Sequence, residues 1–147
     1  GIQDARSCVR FFRKEAIAGN NKYGICSERI TYFGFGFGGY IVTAAATGDS
    51  YEEFITPAKF FDSEGVALVN EAIDGDPFGT STGVDPTAPA GQKIRSLPNH
   101  IGYDHEVQLA VVAGGAIADT SWISPANPAF ISFHVPDDPF LPYKNDT

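Results

Sequence analysis

At 147 residues the chain is about one domain long, and with 43% hydrophobic and 19% charged residues it can bury a core. Ten Lys and Arg against eighteen Asp and Glu leave a net charge of −8, which repels phosphate backbones and argues against a nucleic-acid partner. No apolar run reaches the ~18 residues of a membrane span, and sixteen glycines with ten prolines point to many turns.

In chain order, the opening GIQDARSCVR has neither the apolar core nor the cleavage site of a signal peptide, so export is complete by Gly1 or never occurs. Asp4–Ile17 reads as an amphipathic helix burying Ala5, Cys8, Val9, Phe12 and Ala16, with Gly19-Asn20-Asn21 as its stop. Arg29–Phe33 is a short β-branched and aromatic strand, followed by the glycine cluster Gly34–Gly39. Tyr40–Thr47 is apolar almost all round, as a short buried helix would be. Asp49–His105 is rich in Gly, Pro and Asp. It reads as a loop-rich insert, with a small hairpin turning at Asp62–Gly65. Val107–Val112 and Ala129–Phe133 are two further apolar strands. Continuous apolar strands fit a parallel sheet covered on both faces, so the class is α/β, with the three strands adjacent in chain order.

Two motifs compete for the glycine turn. Gly34, Gly36 and Gly39 match a dinucleotide fingerprint, but that fingerprint wants a following strand ending in an acidic residue about 20 residues on. Gly48-Asp49-Ser50-Tyr51-Glu52-Glu53 is polar and not a strand. The other motif is the nucleophile elbow G-x-S-x-G, whose sharp turn demands small flanking residues. Gly34 and Gly38 fill its glycine positions, and Gly36 stands where the serine would be.

Other residues have their own readings. Cys8 and Cys26 lack zinc-ligand spacing; a bridge between them and two small buried thiols both remain open. Asp74, Asp76, Gly79 and Asp85 have a calcium-loop spacing, but Phe78 sits at a ligand position, so a solvated acidic loop is expected. His100 and His105, with Asp104, read as surface histidines rather than a metal pair. Trp122 either lines a pocket or anchors its loop by packing. Asn145-Asp146-Thr147 has the glycosylation-acceptor pattern.

RITYFGFGFGGYIVTAAA resembles the elbow strand and helix of esterase- and lipase-type α/β-hydrolases, with glycine in place of serine. DARSCVRFFRKEA resembles the helix before that strand, VQLAVVAGGAIADTSWI the next core strand and loop, and AFISFHVPDDPFLPY the following strand with its H-G-x-x-D-x-x-V-P-Y turn. The resemblance implies a partial α/β-hydrolase-like sheet with flanking helices over residues 1–147, residues 49–105 forming a lid-like insert. It places Asp138 at the triad acid, Gly36 at a degenerate nucleophile position and the Phe37 backbone N–H at an oxyanion-type position. His134 falls on a strand-end structural histidine beside the pocket, with Val135 replacing a glycine. The family's catalytic histidine would lie beyond Thr147, and its oxyanion loop before Gly1. The implied function is a component acting on ester or acyl bonds, inactive as this chain alone. The alternative is a non-enzymatic binding or self-assembling module on the same scaffold. No metal or cofactor is implied. An ester or other apolar small molecule, and self-association or a partner chain completing the sheet, are the expected partners. An extracellular or periplasmic setting would favour a Cys8–Cys26 bridge.

Overall fold

A computed structural model describes residues 1–69, 75–79 and 100–140. Helix α1 spans Ile2–Ile17, strand β1 Thr31–Phe35, helix α2 Phe37–Thr47 and the one-turn helix α3 Tyr51–Ile55. Strands β2 (Leu109–Ala113) and β3 (Ala129–Phe133) follow, with 3-10 turns at Ala58–Phe60 and Thr120–Trp122. The strands form one parallel sheet in the order β1-β2-β3, as the sequence led us to expect. The protein is thus of a general α/β kind, a small parallel sheet flanked by helices.

The register fixes which side chains share a face. Tyr32 pairs with Ala110 and Gly34 with Val112, and these point toward the helices. They pack with Val9 of α1 and Val42, Ala45 and Ala46 of α2. Phe33, Val111 and Ile131 form one row of the opposite face, and Phe35, Ala113 and Phe133 another. That face is uncovered: Phe33 is 69%, Phe35 78% and Phe133 61% exposed. The expectation of a sheet buried on both sides is therefore corrected, since the described helices pack on one side alone.

Helix α1 also differs from its reading. Its buried residues are Gln3, Arg6, Val9, Arg10 and Arg13, while Cys8 is exposed and Phe12 half-buried. Apolar periodicity was right at Val9, which is in the core, and at Ala5, which packs against it, but not at Cys8, because the buried face is completed by arginines that find carbonyl partners inside. Arg6 donates through Nε to the Ala45 carbonyl (3.0 Å) and through Nη2 to those of Ala45 (2.9 Å) and Gly48. It thereby satisfies orphan carbonyls at the α2 C-terminus, where a cation is favoured. Arg13 donates to the Ser27, Asp104 and Glu106 carbonyls and pairs with the Asp104 carboxylate at 3.1 Å. The helix's other aromatics cluster outward, Phe12 on Tyr23 and Phe11 on His100.

The hairpin at Asp62–Gly65 forms as expected, with Phe61 bridged to Ala67 and Gly65 at φ 79°. The described part of the 49–105 insert packs on the helical side. Phe54, Phe60 and Phe78 meet Ala44 and Trp122 in a second apolar cluster, and Lys59 pairs with Asp119 at 2.8 Å.

Candidate functional site

In a parallel sheet the loops leaving the strands gather at the carboxyl edge, where ligands of open α/β sheets bind. Here that edge carries a cleft of about 480 Å³ lined by Gly36, Phe37, Tyr40, Asp138 and Phe140. The volume lies in the range of small-molecule sites. Gly36 and Asp138, roughly a hundred residues apart in the chain, thus share one cavity.

The glycines build this edge by close approach. Gly36 caps α2 with φ 56° and ψ −124°, a backbone that L-residues rarely adopt. Its N–H continues the ladder to the Ala113 carbonyl (2.9 Å), while its carbonyl accepts from Gly39 (2.9 Å). A Cβ on Gly34 would overlap the Gly38 carbonyl, and one on Gly39 would lie 2.9 Å from Gly115 Cα. By contrast, a Cβ on Gly36 would meet nothing within 4 Å. Close packing therefore requires Gly34, Gly39 and Gly115, whereas Gly36 is required by its backbone angle and not by space.

Across the cleft, the chain leaves β3 at His134 and turns at Val135–Asp138, closed by the Asp138 N–H to the Val135 carbonyl at 3.1 Å. Asp138 Oδ1 accepts from the Phe140 N–H at 2.9 Å, which seats Phe140 on the cleft. Phe37 and Phe140 are almost fully exposed, at 88% and 87%. Among the described residues, Asp138 is the one ionisable carboxyl of the lining. The α2 N-terminus has no side-chain cap, so the helix end at Phe37 keeps its first N–H groups for other acceptors.

Several expected site residues lie elsewhere. His134 is half-buried and outside the described lining of the cleft. Trp122 is 2% exposed and packs against Phe54 (4.9 Å) and Phe60 (5.7 Å), so its role is anchorage and not pocket lining. Cys8 and Cys26 are free and both exposed, which corrects the reading as buried thiols; no bridge joins them here. His100 and His105 are not plain surface histidines: one lies tilted against Phe11 at 5.4 Å, the other meets Phe78 edge-on at 6.2 Å. Burial, reinforced by Arg6 and Arg10, pushes the His105 imidazole down to about 4. It is therefore neutral at pH 7, and its 3.9 Å approach to Glu106 is no ion pair there.

Asp74 and Asp85 of the calcium-loop spacing, and Asn145–Thr147, lie outside the described residues. Asp76 is no solvated loop carboxylate: it is 1% exposed and accepts from the Phe78 (2.8 Å) and Gly79 (3.0 Å) N–H groups, with Arg10 as a charged neighbour. No group of three or more His, Cys, Asp or Glu able to hold a metal occurs among the described residues. No described helix is long and apolar enough to cross a membrane.

Sequence reasoning missed Tyr40 and Phe140 as cleft walls. It also missed a second apolar cleft of about 360 Å³ between α2 and β3, lined in part by Thr43, Thr47, Ile123 and Phe130. The signal for Phe140 was its place two residues after the acid. Neither cleft wall on the α2 side had a signal, because an apolar helix is read as core.

No family model, curated protein or solved structure matches this chain.

Proposed function

We propose that this chain is an esterase- or lipase-like α/β-hydrolase component whose carboxyl-edge cleft takes the acyl or ester group of an apolar ligand without cleaving it. The observation that carries the reading is Gly36: a tight strand-to-helix turn with an open side-chain position, facing the cleft that also holds Asp138. The strand–turn–helix, the two further parallel strands in chain order and the acid after the third strand all support it.

Serine-type hydrolysis needs an activated oxygen, a base within hydrogen-bond reach and an acid to orient it. Gly36 supplies no oxygen, and no histidine stands among the described lining residues. What remains is binding. Phe37, Tyr40 and Phe140 offer apolar walls, and the uncapped start of α2 offers N–H donors to a carbonyl oxygen. The Asp138 carboxylate disfavours a second anion, so a neutral ester fits better than a fatty-acid anion.

The test is a titration with p-nitrophenyl butyrate. Saturable binding without p-nitrophenolate release above buffer is expected. No residue should be labelled by a serine-directed phosphonate, and Gly36→Ser alone should give no turnover, because no base is in place. Phosphonate labelling that abolishes an observed turnover would sink the proposal, as would binding indifferent to Phe140→Ala. A second reading, an assembling module on the same scaffold, is favoured by the uncovered sheet face.

A further inference from the structure

We infer that the uncovered face of the sheet is the interface of a two-fold dimer of this chain. The inference is independent of the cleft and of any ligand. The face carries Phe33, Phe35, Phe133 and Ile131 at 46–78% exposure, with Val111 and Ala113 half-buried between them. Among the described residues its strand positions carry no charged side chain, and Thr31 and Leu109 begin its amino end.

The area decides for a second copy. A phenylalanine exposes roughly 200 Å² when bare, so the three rings alone leave about 400 Å² open. That already equals the largest apolar patch of an ordinary monomer. With Ile131 and the half-buried central strand, the face offers roughly 600 Å². Two copies would bury about 1,200 Å², the lower bound of a specific stable interface.

The outline fits as well. Three strands of five residues make a patch about 14 Å by 16 Å, which a single helix of ~10 Å diameter would cover only in part. A copy of the same face matches it in size, and sheets pack face to face at about 10 Å. Both copies then use the same patch, as a closed two-fold pair requires. The chain's net charge is −8 and the strand residues of this face carry none, so the copies repel at long range while those residues bury no charge in the contact. Salt should therefore tighten the dimer.

Sedimentation velocity from about 1 to 200 μM reads this out. The wild-type chain should pass from monomer to dimer with a midpoint in the micromolar range, shifted to lower concentration by 0.5 M NaCl. Phe33→Glu and Ile131→Glu should each weaken association on the order of 100-fold, while Phe33→Leu should keep it. Emission of the single tryptophan, Trp122, reports whether each variant folds. Val111→Cys, in a Cys8→Ser, Cys26→Ser background, gives a second measurement. Val111 is central on the face, and sheets about 10 Å apart are too far for a direct disulfide, so a bismaleimide with a spacer of about 10 Å should yield a covalent dimer. A monomer at every concentration overturns the inference. So does a dimer that survives both folded glutamate variants, which would mean pairing through the strand edges, or a Val111→Cys chain that never cross-links.

Discussion

The two ends of the sheet are built from opposite chemistry. At the amino end, three buried guanidinium groups of α1 reach across to backbone carbonyls: Arg6 to the end of α2, Arg13 to the segments before β1 and β2, Arg10 toward the 75–79 turn. Tyr32 stands among them with its hydroxyl buried, and burial holds its phenol up to about 12. The cleft at the carboxyl end is lined, among the described residues, by a glycine, aromatic rings and one carboxylate. One end engages most of its guanidinium donors with carbonyls; the other keeps the uncapped start of α2 and its apolar surface open. The charged end is the clamp, and the plain end is the cleft.

The comparison can be broken most strongly at the clamp. Arg6→Ala should destabilise by about 3–5 kcal/mol, because it removes a buried cation and leaves the Ala45 and Gly48 carbonyls without their donor. Urea unfolding followed by Trp122 emission measures it. A loss under about 1 kcal/mol would mean that the guanidinium is not holding the α2 end.

Next in size is Gly34→Ala. Its methyl would overlap the Gly38 carbonyl, so about 2–3 kcal/mol of strain is expected. Gly36→Ala meets open space and should lose about 1–2 kcal/mol through its positive φ alone. If the order of the two reverses, the elbow is not packed as described.

The clamp also predicts a pH dependence. Unfolded His105 titrates near 6.5, and the folded imidazole at about 4. Between these values the unfolded chain holds the extra proton, so stability falls as pH drops from about 6.5 to 4. The partly hydrated ring limits this to roughly 2 kcal/mol or less. Glu106, held above its ordinary value mainly by burial, works in the opposite sense. The difference between wild type and His105→Gln isolates the histidine: the variant's profile should be flatter across that window, and equal slopes would refute the assignment.

At the cleft the expected effects are smaller and of another kind. Phe140→Ala, at an exposed ring, should change stability by less than about 0.5 kcal/mol yet weaken p-nitrophenyl butyrate binding about tenfold, or ~1.4 kcal/mol. Isothermal titration separates the two. The smallest effect belongs to the thiols: both Cys8 and Cys26 should react with Ellman's reagent in the folded protein, two per chain, and Cys8→Ser should be silent in stability.

Much of the backbone was legible in the chain. The apolar strands, the glycine turn between the first strand and its helix and the Asp62–Gly65 hairpin follow from local rules of periodicity and turn chemistry, which neighbouring residues suffice to express. Boundaries moved by two or three residues, as at β1 and α2, where a glycine turn hides the junction. The cleft was half legible: Gly36 and Asp138 stood out by pattern, while Tyr40 and Phe140 became walls only when α2 and the β3 turn met. The face of α1 was read in part: Val9 and Ala5 face the core as expected, but the buried arginines were not foreseen, because an arginine counts as polar until a carbonyl forty or ninety residues away accepts its hydrogen bond. Burial of polar groups, the open side of the sheet and the place of Trp122 depend on what packs against what. Contacts between distant segments decide these, and no local spacing encodes them.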